Sequence, residues 1–319
     1  MQTNSATLKR LVSDALGKIV SNVEQVIIGK RDAVELALCS LLCKGHVLIE
    51  DMPGVGKTSL VSAIAKSFDC SFKRIQFTPD ILPSDITGFS IYNQKSGAFE
   101  YRPGAIMAQI ILADEINRTS PKTQSSLLEA MEENQVTVDG NTYPLPQPFT
   151  VFATQNPIEY LGTYPLPEAQ LDRFFMRISL GYPSAAEESA LLTRFKENSP
   201  LETLRAVSNA KALSAMQELV TQIHVDQQVN DYIVSIVRQT REDPDIALGA
   251  SPRASLALFR ATQAWAMYND RNYVLPDDVH KMAEPVIGHR LVLTSEAKRR
   301  NCTTSEVLAR MIADIPVPQ

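Results

Sequence analysis

The segment that most constrains this chain is a loop rich in glycine and proline between a predicted strand and a predicted helix. The loop reads Asp-Met-Pro-Gly-Val-Gly-Lys-Thr over residues 51–58, called the phosphate loop below; it follows the apolar strand His46–Glu50 and leads into the amphipathic helix Thr58–Phe68. Such a loop can hold a polyphosphate through successive backbone N–H groups and the positive end of the helix. Asp51 stands where such a loop usually has its first glycine, so the match is incomplete. Taken alone, the segment also fits a glycine turn with a surface lysine.

Two later strands end in side chains that suit phosphate chemistry. The apolar strand Ile110–Ala113 is followed by Asp114 and Glu115. Another apolar strand, Thr150–Thr154, is followed closely by Asn156. Strands that alternate with helices form a parallel sheet whose carboxyl edge binds ligands, so these side chains are expected beside the phosphate loop. By itself, an acidic pair at a strand end is usually a solvated turn, and an asparagine before a proline is often a turn residue.

Phosphoryl transfer gives each of these residues a role. Lys57 would reach the β- and γ-phosphates, while the Thr58 hydroxyl and the Asp114 carboxylate would hold Mg²⁺. Glu115 would polarise the attacking water, and Asn156 would hydrogen-bond that water or the γ-phosphate. The pattern therefore predicts a magnesium-dependent site that cleaves a nucleotide phosphate.

Length and a change of pattern predict two domains. The chain has 319 residues, and a single hydrophobic core usually stops growing near ~250–300 residues. After Tyr182–Pro183 the pattern changes to helices only, beginning with Ser184 and Glu187 at the spacing of a capping box. We predict an α/β core with a parallel sheet over residues 1–183 and a helical lid over residues 184–319.

Two polar insertions interrupt the alternation in the first domain. Phe89–Tyr92 and Ala98–Tyr101 form one predicted hairpin. The other pairs Val136–Val138 with Asn141–Tyr143 through the two-residue turn Asp139–Gly140. Projections of this kind commonly carry contacts, and we expect the second hairpin, Val136–Tyr143, to face a partner or a pore and not to be part of the core.

Composition limits the classes of function. Lys and Arg total 31 against 36 for Asp and Glu, which gives a net charge of −5. The chain therefore lacks the excess of basic residues that is typical of a nucleic-acid-binding protein. Apolar runs are too short for a membrane span, and the polar first ten residues show no export signal, so a cytoplasmic location is expected. Four scattered cysteines do not form a disulfide framework and are expected to be reduced.

Five segments together resemble a known family. They are EDMPGVGKTSL, FTPDILPSDITG, ADEINRTSPKTQSSLLEAMEENQVTVDG, ATQNPIEYLGTYPLPEAQLDRF and GASPRA, in this order. On these segments the chain resembles the MoxR group of AAA+ ATPases, from Val26 to about Ala313. Asp51 fits this resemblance, because the group often relaxes the first glycine of the loop.

The resemblance implies ATP and Mg²⁺ as cofactors and adds two arginines to the site. Arg173, within LDRF, is similar to the arginine finger that one subunit offers to the nucleotide of its neighbour, and Arg253, within GASPRA, is similar to sensor 2. From the residues alone, Arg173 beside Asp172 could be a surface ion pair and Arg253 a helix-start residue. The implied nucleotide contacts are Val26, Ile27, Ile28 and Gly29 at the adenine ring, and Pro53, Gly54, Val55, Gly56, Lys57, Thr58 and Ser59 at the phosphates.

The resemblance also implies an assembly and a class of partner. It suggests a homo-oligomeric ring, a hexamer by analogy, that matures or activates client protein complexes, often beside proteins with a von Willebrand factor A domain. The sequence leaves two alternatives: a nucleic-acid motor or loader on the same ATPase, and a nucleotide-gated scaffold with negligible turnover. The presence of Glu115 opposes the scaffold, since a protein that only binds nucleotide needs no carboxylate to polarise water.

Overall fold

The computed structural model describes residues 2–156, 162–194 and 200–318, with side chains from residue 11 onward. Helices and strands alternate in the first part of the chain. In order, they are α1 (Gln2–Val23), α2 (Arg31–Leu42), β1 (Val47–Glu50), α3 (Lys57–Ser67), β2 (Phe72–Gln76), α4 (Pro83–Thr87), β3 (Gly88–Asn93), β4 (Ala98–Pro103), β5 (Ile110–Asp114), α5 (Pro121–Glu133), β6 (Gln135–Val138), β7 (Asn141–Pro144), β8 (Thr150–Gln155), α6 (Glu168–Leu171) and β9 (Met176–Ile178).

Helices dominate the rest of the chain. They and two short strands are α7 (Ala185–Arg194), α8 (Pro200–Thr203), α9 (Ala210–Val220), α10 (Gln227–Gln239), β10 (Ile246–Leu248), α11 (Pro252–Tyr268), α12 (Pro276–Ile287), β11 (Val292–Leu293), α13 (Ser295–Arg299) and α14 (Thr304–Ala313). The predicted helical lid is confirmed. The antiparallel pair of β10 and β11 was not predicted, because strands of two or three residues are too short to show an alternating pattern.

A five-stranded parallel sheet in the order β2-β5-β8-β1-β9 forms the centre of the first part. Every residue of β5 is buried, as are the first five residues of β8, as expected for strands covered on both faces. The parallel sheet is therefore confirmed. Its edge strands, β2 and β9, were not predicted. In β2 the exposed Lys73, Arg74 and Gln76 interrupt the apolar run that marks a central strand.

Both predicted hairpins are present. Strands β3 and β4 pair from Gly88↔Pro103 to Asn93↔Ala98, and β6 pairs with β7 through a turn in which Asp139 and Gly140 have φ angles of 50° and 79°. Two positive φ angles are typical of the tight turn that matches the twist of a hairpin. The rings of Tyr101 and Tyr143 stack with their centroids 3.9 Å apart, so the two hairpins contact each other.

One hydrophobic core joins the two parts of the chain. It includes Leu38 of α2, Ile49 of β1 and Leu258 of α11. The division between residues 183 and 184 consequently stays a prediction. All four cysteines are free, as expected. Across the described ranges, none of the helices combines the length and apolar character needed to cross a membrane.

Candidate active site

The phosphate loop connects the carboxyl end of β1 to the first residue of α3. Gly54 and Gly56 have φ angles of 84° and 96°, a region that is strained for residues with a Cβ atom. Gly56 is the N-cap of α3, which begins at Lys57. The loop thus ends at the amino terminus of an 11-residue helix, where backbone N–H groups and the helix dipole favour an anion.

Asp51, the residue in place of the usual glycine, anchors the loop. Its buried carboxylate accepts hydrogen bonds from the Ser179 hydroxyl at 2.9 Å, from the Gly181 N–H at 3.0 Å and from the Leu180 N–H. These three donors belong to the segment at the end of β9. The side chain therefore joins the start of the phosphate loop to the neighbouring edge strand, a connection that glycine does not offer.

Lys57 lies among negative groups at the start of α3. Its Nζ atom donates to the Asp51 carbonyl oxygen at 2.8 Å. Partial burial lowers the pKa of Lys57, and the negative charges of Asp51, Asp114 and Glu115 oppose that shift. A lysine in this setting is a point charge positioned for phosphate oxygens.

The acidic pair lies at the carboxyl end of β5, with Asp114 as the last residue of the strand and Glu115 directly after it. Asp114 is buried, and its Oδ1 atom accepts a hydrogen bond from the Thr154 hydroxyl at 2.7 Å. Its Oδ2 atom accepts two hydrogen bonds from the Arg74 guanidinium, one from Nε at 3.0 Å and one from Nη2. Glu115 has a φ angle of 58°, and its N–H donates to the Thr154 hydroxyl at 2.8 Å. Thr154 of β8 consequently fixes both acidic residues relative to the strand that precedes Asn156.

The Glu115 carboxylate has two further partners. Its Oε2 atom accepts from Nε2 of Gln76 at 2.7 Å and from Nη1 of Arg118 at 3.0 Å. Gln76 in turn accepts from Nη2 of Arg74 at 2.6 Å. Arg74 and Gln76 were not predicted as site residues, because the polar residues of β2 conceal the strand that carries them.

These residues surround one cavity of about 340 Å³ at the carboxyl edge of the sheet. It brings together predicted residues from three separate segments and adds Arg74. The lining residues are Pro53, Gly54, Gly56, Lys57, Thr58, Arg74, Asp114, Glu115 and Asn156. The hydroxyl and carboxylate oxygens of Thr58 and Asp114 are the hard ligands that Mg²⁺ prefers. The described part of the chain contains no group of three or more His, Cys, Asp or Glu residues that could hold a metal.

A second cavity of about 170 Å³ adjoins the first and shares Gly54 and Gly56 with it. It contains the predicted adenine-contacting residues except Gly29. Its lining is Val26, Ile27, Ile28, Lys30, Gly54, Val55, Gly56, Ser59, Pro183 and Leu191. Gly29 has a φ angle of 73°, and a Cβ atom there would lie 1.6 Å from Oε1 of Glu187. Gly29 therefore allows α7 to approach this segment.

Arg173 and Arg253 lie apart from the phosphate cavity. Both contact the Glu132 carboxylate, Arg173 at 3.3 Å and Arg253 at 2.7 Å. Together with His46 and Met131, these three residues line a different cavity, and His46 immediately precedes β1. The arginines are thus near the amino edge of the sheet, whereas the phosphate loop is at the carboxyl edge.

Asp172 does not provide the surface ion pair considered for Arg173. Its carboxylate accepts from Nε of Arg290 at 2.8 Å and from the Ser251 hydroxyl at 2.9 Å. Arg290 is buried, and Ser251 is the N-cap of α11, the helix that carries Arg253. Asp172 accordingly fixes the helical part against the segment that carries Arg173.

Two family models and several relatives match this chain. The ATPase family associated with various cellular activities (AAA) matches residues 46–176, and the AAA lid domain matches residues 238–311. A Bacillus subtilis (strain 168) protein named YeaC is 53% identical over 303 residues, covering 95% of each chain. Chaperone MoxR1 of Mycobacterium tuberculosis is 41% identical over 313 residues, covering 95% of this chain and 82% of the relative.

A solved structure from Cytophaga hutchinsonii is 36% identical, covers 100% of both chains and superposes with a TM-score of 0.92. The sequence relatives span nearly the whole chain, and the structural match extends from the phosphate loop to the helical lid. This protein is an ATPase that belongs to the MoxR group of AAA+ proteins.

Proposed function

We propose that this ATPase acts as a chaperone: it assembles into a ring, binds ATP and Mg²⁺ between subunits, and uses hydrolysis to remodel or activate partner protein complexes. Similarity to a protein named Chaperone MoxR1 supports the chaperone role. The main support for a site shared between subunits is that Arg173 and Arg253 lie apart from the phosphate cavity of their own chain. A ring, taken as a hexamer by family analogy, would bring the arginines of one subunit to the cavity of the next.

The dimensions of the sheet support a role for the two arginines in a neighbouring subunit. Strand β1, which has four residues, lies between the cavity beside His46 and the phosphate loop. A strand rises about 3.3 Å per residue. The two positions are therefore about 13 Å apart along the strand. Guanidinium groups stabilise the charge that develops on a transferred γ-phosphoryl group, so we infer that Arg173 acts on the neighbouring subunit and that Arg253 accompanies it.

Within the cavity, each predicted residue retains its role in the proposal. Lys57 would bind the β- and γ-phosphates, and Thr58 and Asp114 would hold Mg²⁺, which would neutralise phosphate charge. Glu115 accepts the proton of the attacking water, and Asn156 orients that water or the γ-phosphate. Glu115 would first have to exchange its contacts with Gln76 and Arg118 for the water.

The surface of the first hairpin supports a protein client. Phe89, Ile91, Tyr92 and Phe99 are exposed there, and Phe99 reaches 74% exposure. Exposed apolar clusters are typical of protein-binding surfaces. In the second hairpin Val136 and Val138 are buried, while Thr137 and Asp139 are exposed, so its turn and one face are available. Following the family resemblance, we propose that the client complex includes a protein with a von Willebrand factor A domain.

A comparison of ATP binding with ATP turnover tests the proposal. We expect Lys57→Ala to lose tight ATP binding because the phosphates lose their point charge. Arg173→Ala is expected to keep an ATP affinity near that of the parent but to lose turnover by roughly 10³-fold, the lower range for arginine fingers. Arg238→Ala, which removes an exposed arginine from α10, is the matched control and should change neither property.

Two outcomes would contradict parts of this proposal. Turnover of Arg173→Ala at the parent rate would exclude a catalytic role for that arginine. Strong stimulation of turnover by single-stranded DNA that declines across a salt series would instead support a nucleic-acid motor.

A further inference from the structure

Arg74 is a charged residue of β2 that lines the phosphate cavity, yet none of the roles above uses it. Its guanidinium makes two hydrogen bonds to Oδ2 of Asp114 and one to Gln76, which in turn donates to Glu115. One side chain thereby joins both members of the acidic pair. Register explains the contact, because Arg74 pairs with Leu112 and Gln76 pairs with Asp114 across the two parallel strands.

The Asp114 carboxylate has hydrogen-bond donors on both oxygens. Thr154 donates to Oδ1, and Arg74 occupies Oδ2. The Asp114 side chain is 11% exposed, while that of Arg74 is 48% exposed. A mostly buried carboxylate requires a compensating charge, and the guanidinium provides it from the cavity side. Since Arg74 is half exposed, its side chain can turn toward solvent at little energetic expense.

We propose that Arg74 is a positioning residue of the ATPase site: its guanidinium compensates the charge of Asp114 before nucleotide arrives and gives up this carboxylate to Mg²⁺. The inference rests on the proposed role of Asp114 in holding the metal. Two cations then compete for one carboxylate, so Arg74 lowers the affinity gain that Mg²⁺ gives to nucleotide binding.

The test measures the affinity of the full chain for ADP in EDTA and in saturating Mg²⁺. The metal gain is the affinity in Mg²⁺ divided by the affinity in EDTA. ADP avoids any dependence on hydrolysis. We expect Arg74→Gln to raise the metal gain roughly five-fold, the size of effect that a half-exposed ion pair supports. Arg74→Lys, which keeps the charge but not the two-point contact, should give an intermediate gain.

The matched control is Lys73→Gln, which removes the same charge from the adjacent position on the opposite face of β2 and should leave the metal gain unchanged. The decisive comparison is made in an Asp114→Asn background. If Arg74 acts through Asp114, Arg74→Gln has no further effect on the metal gain there.

An unchanged metal gain in Arg74→Gln, or an equal rise in the Asp114→Asn background, would overturn the role of Arg74. A different failure would point to the proposed function itself. If Asp114→Asn alone preserves the parent metal gain, Asp114 does not hold the metal and the role of Arg74 fails with it. If Asp114→Asn lowers the gain but Arg74→Gln does not change it, only the role of Arg74 is wrong.

Discussion

Restoring the usual glycine at Asp51 should damage this protein. In most phosphate loops of this type the first position is glycine, so Asp51→Gly restores the common pattern. Here, however, the Asp51 carboxylate accepts hydrogen bonds from Ser179, Leu180 and Gly181 and joins the loop to the end of β9. Glycine would leave these donors without their partner.

The size of the effect follows from those contacts. Leaving a buried donor without its acceptor lowers stability by about 1–3 kcal/mol. Three donors are affected, of which the Leu180 N–H is in a buried hydrogen bond, and contributions from neighbouring contacts are not additive. We therefore expect Asp51→Gly to lower the free energy of unfolding by about 2–4 kcal/mol. A single hydrogen bond is lost in Ser179→Ala, which should lower it by about 1 kcal/mol.

Urea unfolding followed by circular dichroism measures these differences at fixed protein concentration and without nucleotide. Asp51→Asn is the conservative control, because its remaining oxygen still accepts hydrogen bonds, and its loss should be smaller than that of Asp51→Gly. A free energy of unfolding for Asp51→Gly within about 0.5 kcal/mol of the parent, the usual range of surface substitutions, would contradict the anchoring role of Asp51.

Three further predictions concern the acidic pair, the second hairpin and a buried histidine. Glu115→Gln should retain ATP binding but hydrolyse ATP slowly, as measured by phosphate release; turnover at the parent rate would show that Glu115 is not the base. Replacing Asp139–Gly140 by Ala-Ala should leave basal ATPase activity nearly unchanged yet impair client remodelling, and a collapsed thermal transition would indicate a structural hairpin instead. Burial lowers the pKa of His46 to about 4, below the value of ~6.5 of an unperturbed histidine. The contribution of neutral His46 to the free energy of unfolding should therefore be complete above pH ~6.5 and be lost as the pH falls toward 4, by about 3 kcal/mol in total. His46→Gln should reduce this loss in pH-dependent unfolding, and an identical pH dependence in parent and variant would contradict the assignment.

Local sequence patterns predicted the elements that build the phosphate cavity. Strands β1, β5 and β8 are apolar runs buried in the sheet, and each is followed by residues that interrupt the run. Asp139–Gly140 was equally informative, because its two positive φ angles match a hairpin turn. These features depend on short stretches of chain, which is why they can be read without knowledge of the tertiary structure.

The features that the sequence did not reveal depend on contacts between distant segments. Arg74 reaches Asp114 because β2 lies beside β5, and no local pattern specifies that neighbour. Glu132, whose carboxylate contacts both Arg173 and Arg253, was likewise missed, since 121 positions separate it from Arg253. β9 was missed for a different reason, because its three residues carry too little pattern to predict a strand.

Mixing two inactive variants tests the shared active site most directly. Arg173→Ala lacks the proposed finger and Lys57→Ala lacks the phosphate lysine, so a mixed ring contains some interfaces that pair an intact loop with an intact finger. Labelled subunits must first be shown to exchange. Given exchange, we expect the mixture to recover part of the ATPase activity that each variant alone has lost. No recovery at any mixing ratio would contradict a site completed by the neighbouring subunit.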